Sequence, residues 1–250
     1  VTKFYGQILD FLNAGGTRNA VIAAYLQHDS KAGERVIREV DVTGDSVPEL
    51  LLTDSDSSVA YICQDGQYQL VDVLRGTYHY YQPIIIDIKD MNLDGVNEII
   101  LGWGDERIRS FSVFEWEIDH FQMLNPTCAD IDGPSSVDII DTDHNGTLEL
   151  ILNQAIPIWS EYIMGIPWRE GTRTCTWNGK LFEVTRTEYA PPEYRFQAVQ
   201  DGDRATLQGE YDKALDLYQQ AIFSDKLDWW SAERRYFEFN AYAEEGIYKP

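Results

Sequence analysis

The sequence predicts a mainly β fold with α-helical flanks: three four-stranded antiparallel, propeller-like blades between an N-terminal helical hairpin and a C-terminal helical segment. Three observations predict it. A pattern of β-branched strand, acidic turn and apolar strand recurs three times at a spacing of about fifty residues. Each copy is followed by two further strand-like runs joined by a Gly or polar turn. Both ends of the chain instead place their apolar residues at helical spacing.

In residues 1–30, Phe4, Ile8, Phe11 and Leu12 share one helical face, and Gly15-Gly16 supplies a stop. Thr17 can cap a second helix bearing Val21, Ile22, Tyr25 and Leu26, so this segment reads as a helical hairpin packed on a sheet edge. Residues 31–190 hold the repeats, Val36 to Leu52, Ile84 to Leu101 and Val137 to Leu152, aligned on Glu49, Glu98 and Glu149. The runs Val59 to Val73, Ser112 to Leu124 and Thr174 to Val184 add two strands to each copy. Asp65-Gly66 and Asn178-Gly179 signal hairpins, because these pairs accept the positive φ angles of tight turns. Four antiparallel strands are the content of one propeller blade. Pro191-Pro192 marks a boundary, and residues 191–250 lose the β pattern; Ser231 to Glu245 reads as a last helix.

The 250 residues carry 20 Lys and Arg against 42 Asp and Glu, a formal charge of −22. Nucleic-acid affinity comes mainly from cationic side chains, so nucleic acid is not the expected partner. No apolar run approaches the roughly 18 residues that span a bilayer, which predicts no integral membrane span. Cys63, Cys128 and Cys175 have neither the spacing of a zinc site nor the number for more than one internal disulfide.

The acidic turns carry the chemistry. In the second copy Asp90, Asn92, Asp94 and Glu98 occupy positions 1, 3, 5 and 9 of a loop with Gly95 at position 6. Asp141, Asp143, Asn145 and Glu149 with Gly146 repeat this in the third. The first has Asp41, Thr43, Asp45 and Glu49, but Ser46 replaces Gly and Pro48 stiffens the exit. Alternating oxygen side chains on a curled backbone converge on one point, the geometry a hard cation such as calcium requires. Like charges about 4 Å apart repel by roughly 4 kcal/mol at an effective dielectric near 20, so the clusters need compensation. Calcium is expected in the second and third loops, the first being the poorest. The competing reading is a set of capped β-turns whose Asp and Asn accept backbone N–H bonds. A helix-loop-helix calcium motif is excluded, since its position 12 needs Glu where Leu101 and Leu152 stand.

The repeated Asp-x-Asx-x-Asp/Asn-Gly loops, from Lys31 to Tyr189, resemble the FG-GAP or VCBS repeat found in the heads of integrins and in many bacterial exported proteins. That resemblance implies calcium-loop propeller blades; the family's usual Asp at position 9 is here Glu. Gly209 to Ile222 resembles the second half of a tetratricopeptide (TPR) repeat, with Gly209, Tyr211, Ala214, Tyr218 and Ala221 on its small and aromatic positions and Gly202 on an earlier small one. It implies a helix pair and a groove for a peptide or protein. One such repeat cannot bury its own face, so continuation past Pro250 is expected.

No serine elbow, Gly-rich phosphate loop or metal-spaced histidine pair is present, and His28, His79, His120 and His144 stand apart. Trp103, Trp116, Trp159, Trp168 and Trp177 fit packing between sheets better than stacking on sugars. The insertion from Gln154 to Arg173, rich in prolines and aromatics, interrupts the third repeat where a binding loop could project. The expected function is therefore a non-catalytic, calcium-binding protein–protein interaction or scaffold module of a bacterial exported or envelope protein. The alternatives are an exported carbohydrate-binding module or glycoside hydrolase or lyase, with a glycan as partner, and a structural spacer. Calcium loops fill where calcium is millimolar, which predicts an extracellular or cell-envelope location. A start at Val1 rather than Met fits removal of an export signal or lipoprotein anchor.

Overall fold

The computed structural model describes residues 3–27, 36–53, 58–71, 83–104, 108–128, 134–154, 167 and 169–230. His28, His79, Trp159, Trp168, most of the Gln154 to Arg173 insertion and the expected helix from Ser231 to Glu245 lie outside these residues. The chain divides into two units, Val1–Ala155 with Thr172–Thr187, and Ile156–Gly171 with Glu188–Pro250.

The first unit begins with helices α1 (Lys3–Asn13) and α2 (Arg18–Gln27). Gly15, at φ +90°, turns the chain between them, and Thr17 Oγ1 accepts the Ala20 N–H at the start of α2. Strands β1 (Val36–Val40), β2 (Glu49–Thr53), β3 (Ser58–Gln64) and β4 (Gln67–Val71) form the first sheet. The second contains β5 (Pro83–Lys89), β6 (Glu98–Gly104), β7 (Ile108–Glu117) and β8 (His120–Met123). The third contains β9 (Pro134–Ile140), β10 (Glu149–Gln154), β11 (Gly171–Trp177) and β12 (Phe182–Tyr189). In each sheet the spatial order is the chain order, and β1–β2, β2–β3, β3–β4, β5–β6, β6–β7, β7–β8 and β9–β10 pair antiparallel. Asp65 and Gly66 both take positive φ, 51° and 76°, in the two-residue turn between β3 and β4.

Period-2 alternation distributes side chains to the two faces of each sheet. Leu50, Leu52, Val59 and Tyr61 pack against Tyr5, Leu12, Val21 and Tyr25 of the helices. From the opposite face, Leu51, Ala60 and Ile62 meet Ile99, Leu101, Trp103 and Phe114 of the second sheet. That sheet's other face supplies Ile100, Phe111 and Val113 to a core with Leu150, Leu152, Cys175 and Phe182 of the third. Helices and sheets thus follow one another through three successive cores. Strands covered on both faces read as continuous apolar runs, which explains ELLL and EIIL in the sequence. Cys128 and Cys175 form a disulfide inside the last core, closing a span of 47 residues; Cys63 is free.

The second unit carries α3 (Arg195–Leu207) and α4 (Tyr211–Phe223). Gln197 Oε1 reaches back to accept the N–H groups of Glu193 and Tyr194 before α3. The Arg195 guanidinium donates to the carbonyls of Ala221, Ile222 and Ser224, satisfying the open end of α4. A Cβ on Gly202 would lie 2.6 Å from the Tyr218 ring, so the two helices touch there through glycine. Hydrogen bonds to Asp203 and Thr206 hold that ring by its hydroxyl.

Two outcomes test this packing. Gly202→Val should destabilise the helix pair by about 1–3 kcal/mol, because the ring is tethered and cannot yield; urea unfolding followed by far-ultraviolet circular dichroism reads it, and an unchanged midpoint would contradict the contact. The reduced protein should lose about 4 kcal/mol relative to the oxidised one on chain-entropy grounds, checked by the same titration with and without a phosphine reductant.

Candidate metal centre

Each acidic loop links the first two strands of its sheet, spanning 41–49, 90–98 and 141–149. Positive φ recurs at positions 4 and 6 in all three: Gly44 and Ser46, Leu93 and Gly95, His144 and Gly146. Ser46 adopts φ 68° where the other loops use Gly, so the first loop keeps the curl despite its missing glycine. The left-handed residue at position 4 was not foreseen, because Leu93 and His144 give no signal of it.

The position-1 aspartates organise the turns. Asp41 accepts the N–H groups of Thr43, Gly44 and Ser46. Asp90 accepts those of Leu93 and Gly95, at 2.7 and 3.1 Å. Asp141 accepts those of Asn145 and Gly146. The position-5 residues Asp45, Asp94 and Asn145 each accept the N–H two residues on. Backbone capping is therefore real in every loop.

The position-9 glutamates are buried, and each bonds seven residues back. Glu49 accepts the Val42 N–H at 2.9 Å, Glu98 that of Met91 at 2.7 Å, and Glu149 that of Thr142 at 2.6 Å. Burial pushes the carboxyl of Glu49 up to about 7 and that of Glu98 to about 8, the backbone hydrogen bond opposing it in both and neighbouring acids adding to it. In the first loop Thr43 Oγ1 stands 3.4 Å from Glu49 Oε1. In the second, Asn92 donates through Nδ2 to Asp94 and to Glu115 of β7, and Glu98 Oε1 has no partner. Burial also raises the Glu115 pKa, with the Asp94 charge next in effect.

The third loop brings Asp141, Asp143 and Glu149 together: one oxygen from each lies within 4.8 Å of the others. Ligands on opposite sides of a calcium ion, each about 2.4 Å from it, stand about 4.8 Å apart, so this set has the dimension of a cation shell. Among the described residues no other trio of His, Cys, Asp or Glu meets that criterion. Asn145 at position 5 donates to Asp143 and accepts from Thr147, bracing the trio. Each loop carries three carboxylates, but the first has a threonine and the second an amide at position 3, where the third has Asp143. His144 is exposed at the loop tip, while His120 pairs with Asp119. Trp103, Trp116 and Trp177 pack into or against the inter-sheet cores. The chain matches no protein-family model and no curated protein.

Glu98 gives a pH test. Its folded pKa, about 8, lies above the ordinary 4.5, so the folded state holds the proton more tightly. Its contribution to stability is complete below pH 4.5 and is lost as pH rises toward 8, with a slope of at most about 1.4 kcal/mol per pH unit. Glu98→Gln cannot ionise and should escape this loss. In EDTA the variant should gain on the wild type between pH 5.5 and 8.5 in urea unfolding; parallel profiles would refute the shift.

Proposed function

We propose that the chain is a non-catalytic, calcium-binding interaction module of an exported or cell-envelope protein, with propeller-like blades as its rigid platform. The convergence of Asp141, Asp143 and Glu149 carries the reading. Its donors are all oxygens, which suit a hard cation rather than a soft metal. The second loop, with Asp90, Asn92, Asp94 and Glu98, is the next candidate, and the first, with Asp41, Thr43, Asp45 and Glu49, the weakest. The Cys128–Cys175 disulfide supports an oxidising compartment, and such compartments hold millimolar calcium.

A protein or peptide is the proposed partner. In the second unit Leu207, Tyr211, Leu215, Ile222, Phe223 and Trp229 are all more than half exposed, an apolar surface of the kind that marks association sites. No helix among the described residues is long and apolar enough to cross a membrane. Trp103, Trp116 and Trp177 serve the cores between sheets and not an open sugar-stacking surface.

Calorimetric titration of calcium into EDTA-treated protein should give saturable heat, with about 2.7 kcal/mol of added stability when calcium is 100-fold above Kd. Asp143→Asn should abolish the part due to the third loop. Absence of both heat and melting shift at 5 mM calcium, roughly the upper end of extracellular levels, would sink the reading.

A further inference from the structure

We infer that Glu115, on β7 and outside the loop motif, is a ligand of a divalent cation held at the second loop together with Asp94 and Glu98. This rests on the reading of the loops as cation sites and extends it to a residue that the linear pattern does not contain.

Register places the residue. In the β6–β7 pairing Ile99 stands opposite Phe114 and Ile100 opposite Val113. One further step sets Glu98 opposite Glu115. Side chains directly across a pair share one face of the sheet, and like charges so placed repel. This is the face on which Ile100 and Val113 enter the core shared with the third sheet. The same step in the first sheet, where Leu50 pairs with Tyr61, puts Ile62 opposite Glu49. An apolar residue thus fills in the first sheet the place that an acid takes in the second.

Glu98 is fully buried. One carboxylate oxygen is used by the Met91 N–H, and the other, Oε1, is buried with no hydrogen-bond partner. The acids whose charges act on Glu98 are Glu115 and Asp94. An orphaned, buried carboxylate oxygen is costly unless something positive meets it. Asp94 Oδ2 and Glu115 Oε2 are meanwhile both bound to a single nitrogen, Asn92 Nδ2, at 3.1 and 2.7 Å. An electropositive but neutral amide therefore stands between two carboxylates beside a third that lacks a partner. These three acids stand wider apart than the third-loop trio, so a hard divalent cation taking the place of the amide nitrogen would draw them in to satisfy all three, and calcium, with its flexible shell of six to eight oxygens, accepts ligands drawn from a loop and a neighbouring strand.

Equilibrium dialysis of EDTA-stripped protein against calcium tests it. Wild type should hold two ions; Glu115→Gln should lose one or weaken it at least tenfold, Asp143→Asn should lose the other, and the double variant should bind neither. Glu115→Asp, which keeps the charge but draws it back by one methylene, should also weaken the second-loop ion; wild-type binding by this variant would reduce Glu115 to a remote charge and overturn ligation. In EDTA, Glu115→Gln should melt at or above the wild-type temperature because a like charge is gone, and in calcium it should gain less; a lower melting temperature in EDTA would contradict the uncompensated cluster. Two ions retained at wild-type affinity by Glu115→Gln overturns this inference alone. No ion in the wild type overturns the reading of the loops with it.

Discussion

A glutamate that begins the second strand of each sheet and bonds to a backbone N–H seven residues earlier is the constraint on which the loops depend. Glu49, Glu98 and Glu149 are 0%, 0% and 2% exposed, so each carboxylate gives up water to do this. What it secures is the N–H of loop position 2. Val42 and Met91, at that position, are themselves fully buried and enter the two cores between sheets. Without the glutamate, a backbone donor next to a buried side chain would be left unpaired, at a cost comparable to a lost hydrogen bond. In the third sheet the same position is Thr142, exposed, and its hydroxyl joins its N–H on Glu149.

The braced loops are also tied to each other. Asn97 of the second loop donates to the Asp41 carbonyl of the first at 2.7 Å, and the Leu148 N–H of the third donates to the Met91 carbonyl of the second at 2.8 Å. Glycine marks each junction. A Cβ on Gly146 would come 2.9 Å from Leu93 Cδ1, and one on Gly44 3.1 Å from Val96 Cγ2, and both glycines have positive φ. The acidic residues therefore lie in one row along the ends of the sheets, and the stacking that buries Leu51 against Ile99 and Ile100 against Leu150 also fixes the spacing of the charged loops.

Most of the β architecture was legible because it follows from local rules. Sheets buried on both faces leave uninterrupted apolar runs, the Asp65-Gly66 pair dictates its hairpin, and a repeat seen once fixes the expectation for the other two. The helical hairpin was legible in Leu12, Val21 and Tyr25, which are buried anchors of the first core as expected, whereas Tyr5 was missed and Phe11, expected on the same face as Leu12, is exposed. What the sequence hid depends on contacts across the fold. Three cysteines permit three pairings, and only placement of Cys128 and Cys175 in one core selects theirs. Ser46 looked like a defect because glycine is the usual solution, yet tertiary context holds it at positive φ. Glu115 was invisible as a candidate because its significance lies in the register of β6 against β7 and not in its spacing from any other acid.

Position 3 explains why three loops of one design differ. It is Thr43, Asn92 and Asp143 in turn, a hydroxyl, an amide and a carboxylate, and since every loop carries three carboxylates, the third differs in having them at positions 1, 3 and 9 instead of 1, 5 and 9. The Thr43 hydroxyl turns toward Glu49 and relieves part of its burial. Asn92 spends its two N–H bonds on Asp94 and Glu115, leaving Glu98 Oε1 alone. Asp143 has no donor to offer, and there the carboxylates crowd within 4.8 Å, met by the Asn145 amide, the Thr142 hydroxyl and backbone N–H groups. Backbone capping, which all three loops share, does not account for that difference. What sets the third loop apart is where its acids stand: carboxylates at positions 1, 3 and 9 bring one oxygen each within 4.8 Å, and it is on that spacing that the proposed cation site rests.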